Sequence, residues 1–322
     1  MFNFSKLTRQ EIVILVIGGV ILLIVAGFLL TTPDRFGKKE KMPKSTSSLA
    51  RKGQLNTPRD LAASSDGFVY VVDSKNNRIQ KFDANGNAKM MFGKSGDANG
   101  SFKEPCGIDV GKDGNIYVAD TWNARVQVFD KNGKFLKTFG KDRGMWGPRD
   151  LCVDRNNNVY VADTGNCKIE KFDKDGKYVG TFGKRGSGKM EFQEPFGMLE
   201  GPDGNIYIAD RKNFRIVVMN PDGGFVKNFR VEGWAEPQIV EGCLMEPYFT
   251  IDAQKNAIYI TDSPKHRILK YSLDGRFLKA IENDASGNKL INCPLSVTSL
   301  GGGRIMATDS GTGKLVAYTD AE

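Results

Sequence analysis

Residues that commonly carry chemistry are scarce in this chain. Among 322 residues there is one histidine, His266, which excludes a multi-histidine zinc centre. The five cysteines, Cys106, Cys152, Cys167, Cys243 and Cys293, include no CxxC spacing, so zinc-ribbon and thioredoxin-like readings fall away. Their odd number leaves at least one thiol unpaired. Two ligand loops are imitated but not completed. Residues 183–190 read GKRGSGKM, with Met190 where a phosphate loop needs Ser or Thr for magnesium, and the stretch joins strands rather than opening a helix. Residues 154–158 read DRNNN, but Val159 replaces the sixth-position glycine of a calcium loop and no glutamate stands twelfth.

Long uncharged runs are equally scarce, and residues 12–30, IVILVIGGVILLIVAGFLL, are the exception. Nineteen uncharged residues suffice to cross a hydrocarbon core as a helix. The run exceeds a secretory h-region, and LLTTP at residues 29–33 is a poor cleavage site. We expect a short N-terminal segment at 1–11, an uncleaved transmembrane anchor helix at 12–30 and a basic, Ser-rich tether at 31–55. A basic patch against anionic head groups is the alternative reading of the tether. Lys6 and Arg9 precede the span, whereas Arg35, Lys38, Lys39, Lys41 and Lys44 follow it. By residue count alone, the positive-inside rule places the following domain in the cytoplasm. Short basic N-termini before a single span commonly stay inside, which favours the opposite orientation.

The rest of the chain is repetitive. An apolar run closing in aspartate recurs at Asp73, Asp120, Asp163, Asp210, Asp262 and Asp309, at gaps of 47, 43, 47, 52 and 47 residues. Five positions later stands a basic residue: Arg78, Arg125, Lys168, Arg215, Arg267 and Lys314. Each unit opens on a proline: Pro58, Pro105, Pro148, Pro195, Pro247 and Pro294. The runs between are short, β-branched and aromatic, and Asp-Gly or Asn-Gly turns separate them, as in hairpins. Four antiparallel strands per unit at this spacing suit propeller blades. The sixth unit ends after its third strand, so residues 45–52 are expected to supply its outer strand and close the ring.

The pattern resembles the NHL-repeat family: residues 113–129, DGNIYVADTWNARVQVF, match nearly every position of its motif. The resemblance covers about residues 56–320 and implies an all-β, six-bladed β-propeller with NHL-type blades over 56–322, preceded by the transmembrane helix. Membrane-anchored propellers that this chain resembles are displayed outside the cytoplasm, so the resemblance implies a periplasmic or cell-surface domain. Amidating lyases, related propellers, hold metal with several histidines, which this chain lacks. Six-bladed lactonase-type propellers hold a channel calcium with carboxylates and asparagines. Asp60 and Asp150, where other blades have Gly107 and Gly197, are the weak metal candidates on that analogy. Pairing with Arg59 and Arg149 is the other reading of the two aspartates.

A residue present in every blade is a poor catalyst candidate, so the repeated Asp and Arg are read as structural. The fourth-to-first and second-to-third loops share one face, which differs from blade to blade. Arg59, Arg149, Phe196 and Tyr248 follow their prolines there, and Trp122, Arg211, Lys212 and His266 lie in the loops after the aspartates. Arginine and aromatics are favoured in binding hot spots, and variable loops on a rigid scaffold are where recognition resides. The longest connection, residues 230–245 with Trp234, is a further contact candidate. Cys243 and Cys293 precede neighbouring units, so a disulfide between them would suit an exported domain. The sequence thus points to a membrane-anchored, non-enzymatic module that binds a protein, a peptide or an extracytoplasmic polymer, with no cofactor. A hydrolase or lactonase-like enzyme with a channel cation is the alternative. Nucleic-acid binding is a second, disfavoured one, because it needs the propeller in the cytoplasm.

Overall fold

Each apolar run forms a strand because alternate side chains must be buried on both faces. In blade one, Val69 and Val71 pack toward blade six, beside Leu300 and Met306. Tyr70 and Val72 point the other way, toward Ile116 and Val118 of blade two. The period of two therefore serves two interfaces at once. The pattern repeats around the ring, giving a core of six apolar clusters, one between each pair of adjacent blades.

This computed structural model describes residues 55–234, 243–284 and 287–320, together with the backbone of three short strands, Val13–Ile17, Val20–Ile24 and Ser47–Ser48. Blade one comprises Pro58–Ala63, Phe68–Asp73, Arg78–Asp83 and Ala88–Phe92, hydrogen-bonded in sequence order. Blades two to five repeat this antiparallel order from Ile108, Pro148, Pro195 and Phe249. The first strands of all six blades neighbour one another in a closed circle, so they line the central axis. Blade six contributes Pro294–Gly301, Arg304–Asp309 and Lys314–Thr319, and its fourth strand is Ser47–Ser48, paired Val316↔Ser48 and Ala317↔Ser47. That strand lies inside the 45–52 segment expected to close the ring.

Of the nineteen residues of the expected transmembrane helix, residues 12, 18–19 and 25–30 lie outside the described residues. Within 12–30 the described backbone is an antiparallel pair, Val13–Ile17 with Val20–Ile24, rather than a helix. Among the described residues no helix is long and apolar enough to cross a membrane.

The repeated aspartate is the hub of each blade. Asp120 accepts from Lys103 N at 2.8 Å, Asn123 Nδ2 at 2.8 Å, Arg125 Nε at 2.8 Å and Gln127 Nε2 at 2.9 Å. One carboxylate thereby ties the lead-in of the first strand to the second-to-third turn and to the third strand. Asp73, Asp163 and Asp210 hold the equivalent backbone N–H donors of Asn56, Trp146 and Gln193. Four charge-assisted or buried bonds on one group explain why the residue recurs while its neighbours vary.

A second tie joins blades five and six. Asp320 accepts from Lys270 Nζ at 2.6 Å, Lys279 Nζ at 2.9 Å and the Tyr259 hydroxyl at 2.8 Å. Burial pushes its pKa up, but these bonds outweigh burial and hold it at about 2. A depressed carboxylate pKa stabilises the fold above the ordinary value near 3.8, and the contribution disappears as pH falls toward 2. Asp320→Asn is expected to cost on the order of 2 kcal/mol at pH 7, and the deficit should shrink between pH 4 and pH 2. Urea unfolding across that range measures it.

Candidate functional site

The prolines that open the blades bring the next residues to the mouth of the axis. Arg59 is buried there, and its Nη1 donates to Glu246 Oε2. Arg149 Nη1 reaches Glu246 Oε1 at 3.4 Å and Cys106 Sγ at 3.5 Å. Glu246, itself buried, is thus clamped by two guanidinium groups from blades one and three. Tyr248 is also buried, and its hydroxyl crosses from blade five to donate to Arg149 O at 3.0 Å. Phe196, directly after Pro195, is buried as well. Of the residues expected on the binding face, Arg59, Phe196 and Tyr248 therefore form its floor.

The arginines do not pair with the adjacent aspartates, as one reading of the sequence had it. Glu246 takes both, because it projects from the lead-in of blade five over the mouth. Asp60 instead bridges blades: it accepts from Ile108 N at 2.8 Å, Leu61 N at 2.8 Å and Ser296 Oγ at 2.6 Å. Asp150 Oδ2 accepts from Met198 N at 2.6 Å, while its buried Oδ1 has no partner. Gly107 lets the strands close around it, since a Cβ there would meet Asp150 Oδ1 at 2.5 Å. Burial pushes Asp60 up to about 7, against the bonds that favour its charge. Burial raises Asp150 well above the carboxylate range, and the negative charge of Asp60 adds to it.

Raised carboxyl pKa values mean that the folded state binds protons the unfolded chain releases. Stability is then greatest below pH 4 as far as this pair is concerned and falls as pH rises toward 7. The limiting slope is about 1.4 kcal/mol per pH unit for each proton. Asp150→Asn should flatten this fall and raise the melting temperature at pH 8, because the amide accepts from Met198 N without adding charge. Thermal melts of both chains at pH 5 and pH 8 check the prediction.

Above the floor the face is aromatic and basic. Trp122 is 44% exposed and Trp146 64% exposed. The Arg149 guanidinium lies 5.4 Å from the Trp122 ring, within cation–π range. Trp146 stands two residues before Pro148, where its N–H is held by Asp163 at 2.7 Å and its ring is turned outward. Trp146 was not among the residues expected on this face. The signal was its register: the same position holds Asn56, Lys103 and Gln193 in other blades. Between blades four and five lies a cavity of about 220 Å³, lined by Phe214, Trp234, Met245, Pro247, Arg211 and Lys212. Trp234 donates Nε1–H to Thr261 O at 3.2 Å, which fixes this wall. Arg211 and Lys212 share Glu194, at 2.5 and 2.6 Å. Residues 235–242 of the long connection lie outside the described residues.

His266 does not line the cavity but ends the turn of blade five that does, where its N–H donates to Ser263 O at 3.0 Å. Cys243 and Cys293 form a disulfide with a Cα–Cα distance of 5.3 Å, and His266 lies against it. Cys106, Cys152 and Cys167 are buried and free.

The NHL repeat family matches residues 55–82, 102–129 and 145–172, and a family described as a 6-bladed beta-propeller matches residues 197–298. No curated protein sequence matches the chain. Among solved structures it resembles a catalytically inactive virginiamycin B lyase from Staphylococcus aureus with quinupristin, at 16% identity and TM-score 0.56, covering 82% of this chain and 81% of that one. It resembles Kuenenia stuttgartiensis hydrazine synthase at 16% identity and TM-score 0.58, covering 82% and 84%. A nidogen/laminin complex matches at 19% identity and TM-score 0.57, covering 78% and 88%. Two of these are enzymes and one is a binding complex, so the shared fold leaves the choice of function to the site. The chain is a six-bladed β-propeller carrying NHL repeats.

Proposed function

We propose that this protein is a membrane-anchored, non-enzymatic recognition module whose loop face binds a protein or peptide partner, or an extracytoplasmic polymer. The observation that carries the reading is two exposed tryptophans in loops of one face, Trp122 and Trp146, with the Arg149 guanidinium 5.4 Å from the Trp122 ring. Rigid aromatics with an adjacent arginine are what binding hot spots use. Asp60 is engaged within the scaffold: both its oxygens serve bonds within and between blades.

The nineteen uncharged residues at 12–30 support the anchor. In hydrocarbon an isolated strand pair leaves its edge N–H and C=O groups unsatisfied, whereas a helix pairs those of its interior, which favours a helical form for a run of this kind in a bilayer. The Cys243–Cys293 disulfide supports an extracytoplasmic propeller. A photo-crosslinker placed at position 122 of the full-length chain in cells tests the face. Partner adducts from position 122, and none from Val226 on the exposed outer rim, support the reading; equal adducts from both positions contradict it.

One observation favours a second reading, a channel cation serving a hydrolase. The unpartnered Asp150 Oδ1 and the mutual repulsion of Asp60 and Asp150 are features a cation would relieve. Calcium that raised the melting temperature of the wild type, but not of Asp150→Asn, would favour it.

A further inference from the structure

The cluster around the disulfide has a chemistry that the recognition face does not use. Cys243, His266 and Cys293 offer one ligand atom each within 4.8 Å of one another. They come from three separate stretches: the lead-in to blade five, the turn between its second and third strands, and the lead-in to blade six. Two thiolates and an imidazole nitrogen are a donor set suited to zinc, which is filled to four by water or another ligand. We propose that the reduced chain holds one thiophilic divalent cation of the zinc class between Cys243, His266 and Cys293.

The surroundings of these residues are built in the way metal sites are supported. His266 Nδ1 lies against Asn292 O, an acceptor only, so Nδ1 carries the proton and Nε2 keeps its lone pair for a cation. The same Asn292 directs its side-chain N–H toward Cys293 Sγ at 3.7 Å, a contact that favours thiolate. Asp309 fixes this lead-in by accepting from Asn292 N at 3.0 Å and Cys293 N at 3.1 Å. Cys293 is 2% exposed, with Gly311 packed so closely that a Cβ there would come 3.0 Å from Sγ. His266 is held at φ 55° by the capped turn. The histidine and Cys293 are thus oriented by the fold, and Cys243 completes the set.

The disulfide and the cation are alternative occupants of the same sulfurs. A phosphine together with one water, or a dithiol, donates two electrons to break the S–S bond; the sulfurs take the two protons of that water or dithiol, and the reductant becomes phosphine oxide, with the water's oxygen, or a disulfide. Cation binding then releases those two protons as the thiols become thiolate ligands. The site is therefore present under reducing conditions and absent once the disulfide has formed.

The test uses the full-length chain purified in mild detergent with a phosphine reductant. Zinc alone and cobalt(II) alone are the probes, and thiol titration verifies reduction. The expected result is one zinc per reduced chain, with a thiolate-to-cobalt charge-transfer band in the near ultraviolet and no binding by the oxidised chain. Cys243→Ser and His266→Asn should each weaken zinc binding roughly tenfold or more. His266→Asn keeps the turn, because asparagine accepts a left-handed φ and Asn77 already occupies the equivalent place in blade one. A reduced chain that binds no zinc overturns the proposal. So does zinc binding that survives both substitutions, or that is equal in the oxidised chain.

Discussion

Glu246→Ala should destabilise the propeller by about 3–5 kcal/mol. The carboxylate is the acceptor for Arg59 Nη1 and lies 3.4 Å from Arg149 Nη1. Arg59 is 6% exposed, and its Nε already lacks a partner. Removing Glu246 leaves a guanidinium, which does not lose its proton, in a dry setting without a counter-charge. Arg149 suffers less, since its side chain is 20% exposed and reaches water. Breaking a buried pair differs from replacing it. The double variant Arg59→Met, Glu246→Leu should recover much of the loss, because it removes both charges together. Denaturant unfolding of the single and double variants measures both effects. A single variant within about 0.5 kcal/mol of the wild type would show that the clamp is not what holds the mouth.

Replacing Trp122 and Trp146 together with alanine should weaken partner binding by more than about a hundredfold while leaving the ring folded. Each is an exposed aromatic on a loop whose backbone is pinned. Trp122 follows Thr121, whose hydroxyl donates to Pro148 O at 2.9 Å, and Trp146 N is held by Asp163. A rigid aromatic loses little entropy on binding, and hot-spot truncations cost about 2 kcal/mol or more each. Neither ring belongs to the inter-blade clusters, so melting temperatures should stay close to the wild type. Arg149→Ala weakens binding too, but it also disturbs Glu246 and Cys106, which makes the tryptophans the cleaner probe.

The blades were legible in the sequence because each landmark has one structural job, repeated. Asp120 holds four donors, Arg125 is one of them, and the proline fixes where the first strand begins. Those bonds lie within one blade and leave a periodic trace. The face was only partly legible. Trp122 and Lys212 could be placed by their distance from the aspartate. Arg59, Phe196 and Tyr248 stood equally near the axis in register, yet they are buried, because the mouth is closed by contacts with no periodicity. Arg59 and Glu246 are 187 residues apart, and Tyr248 reaches Arg149 across 99. In three of the six units the residue before the opening proline carried a clue: Glu104 pairs with Lys75, Glu194 with Arg211 and Lys212, and Glu246 with Arg59 and Arg149. The cluster of Cys243, His266 and Cys293 was readable only as two cysteines before adjacent blades, since the histidine joins them through a turn whose direction the sequence does not state.

On the proposed function, the loop face around Trp122 and Trp146 is the binding site. Its most direct test is capture by the full-length chain in mild detergent, run beside the Trp122→Ala, Trp146→Ala variant and read by mass spectrometry. Specific partners are expected with the wild type and should vanish with the variant, at equal melting temperature. The same partners retained by both chains would contradict it.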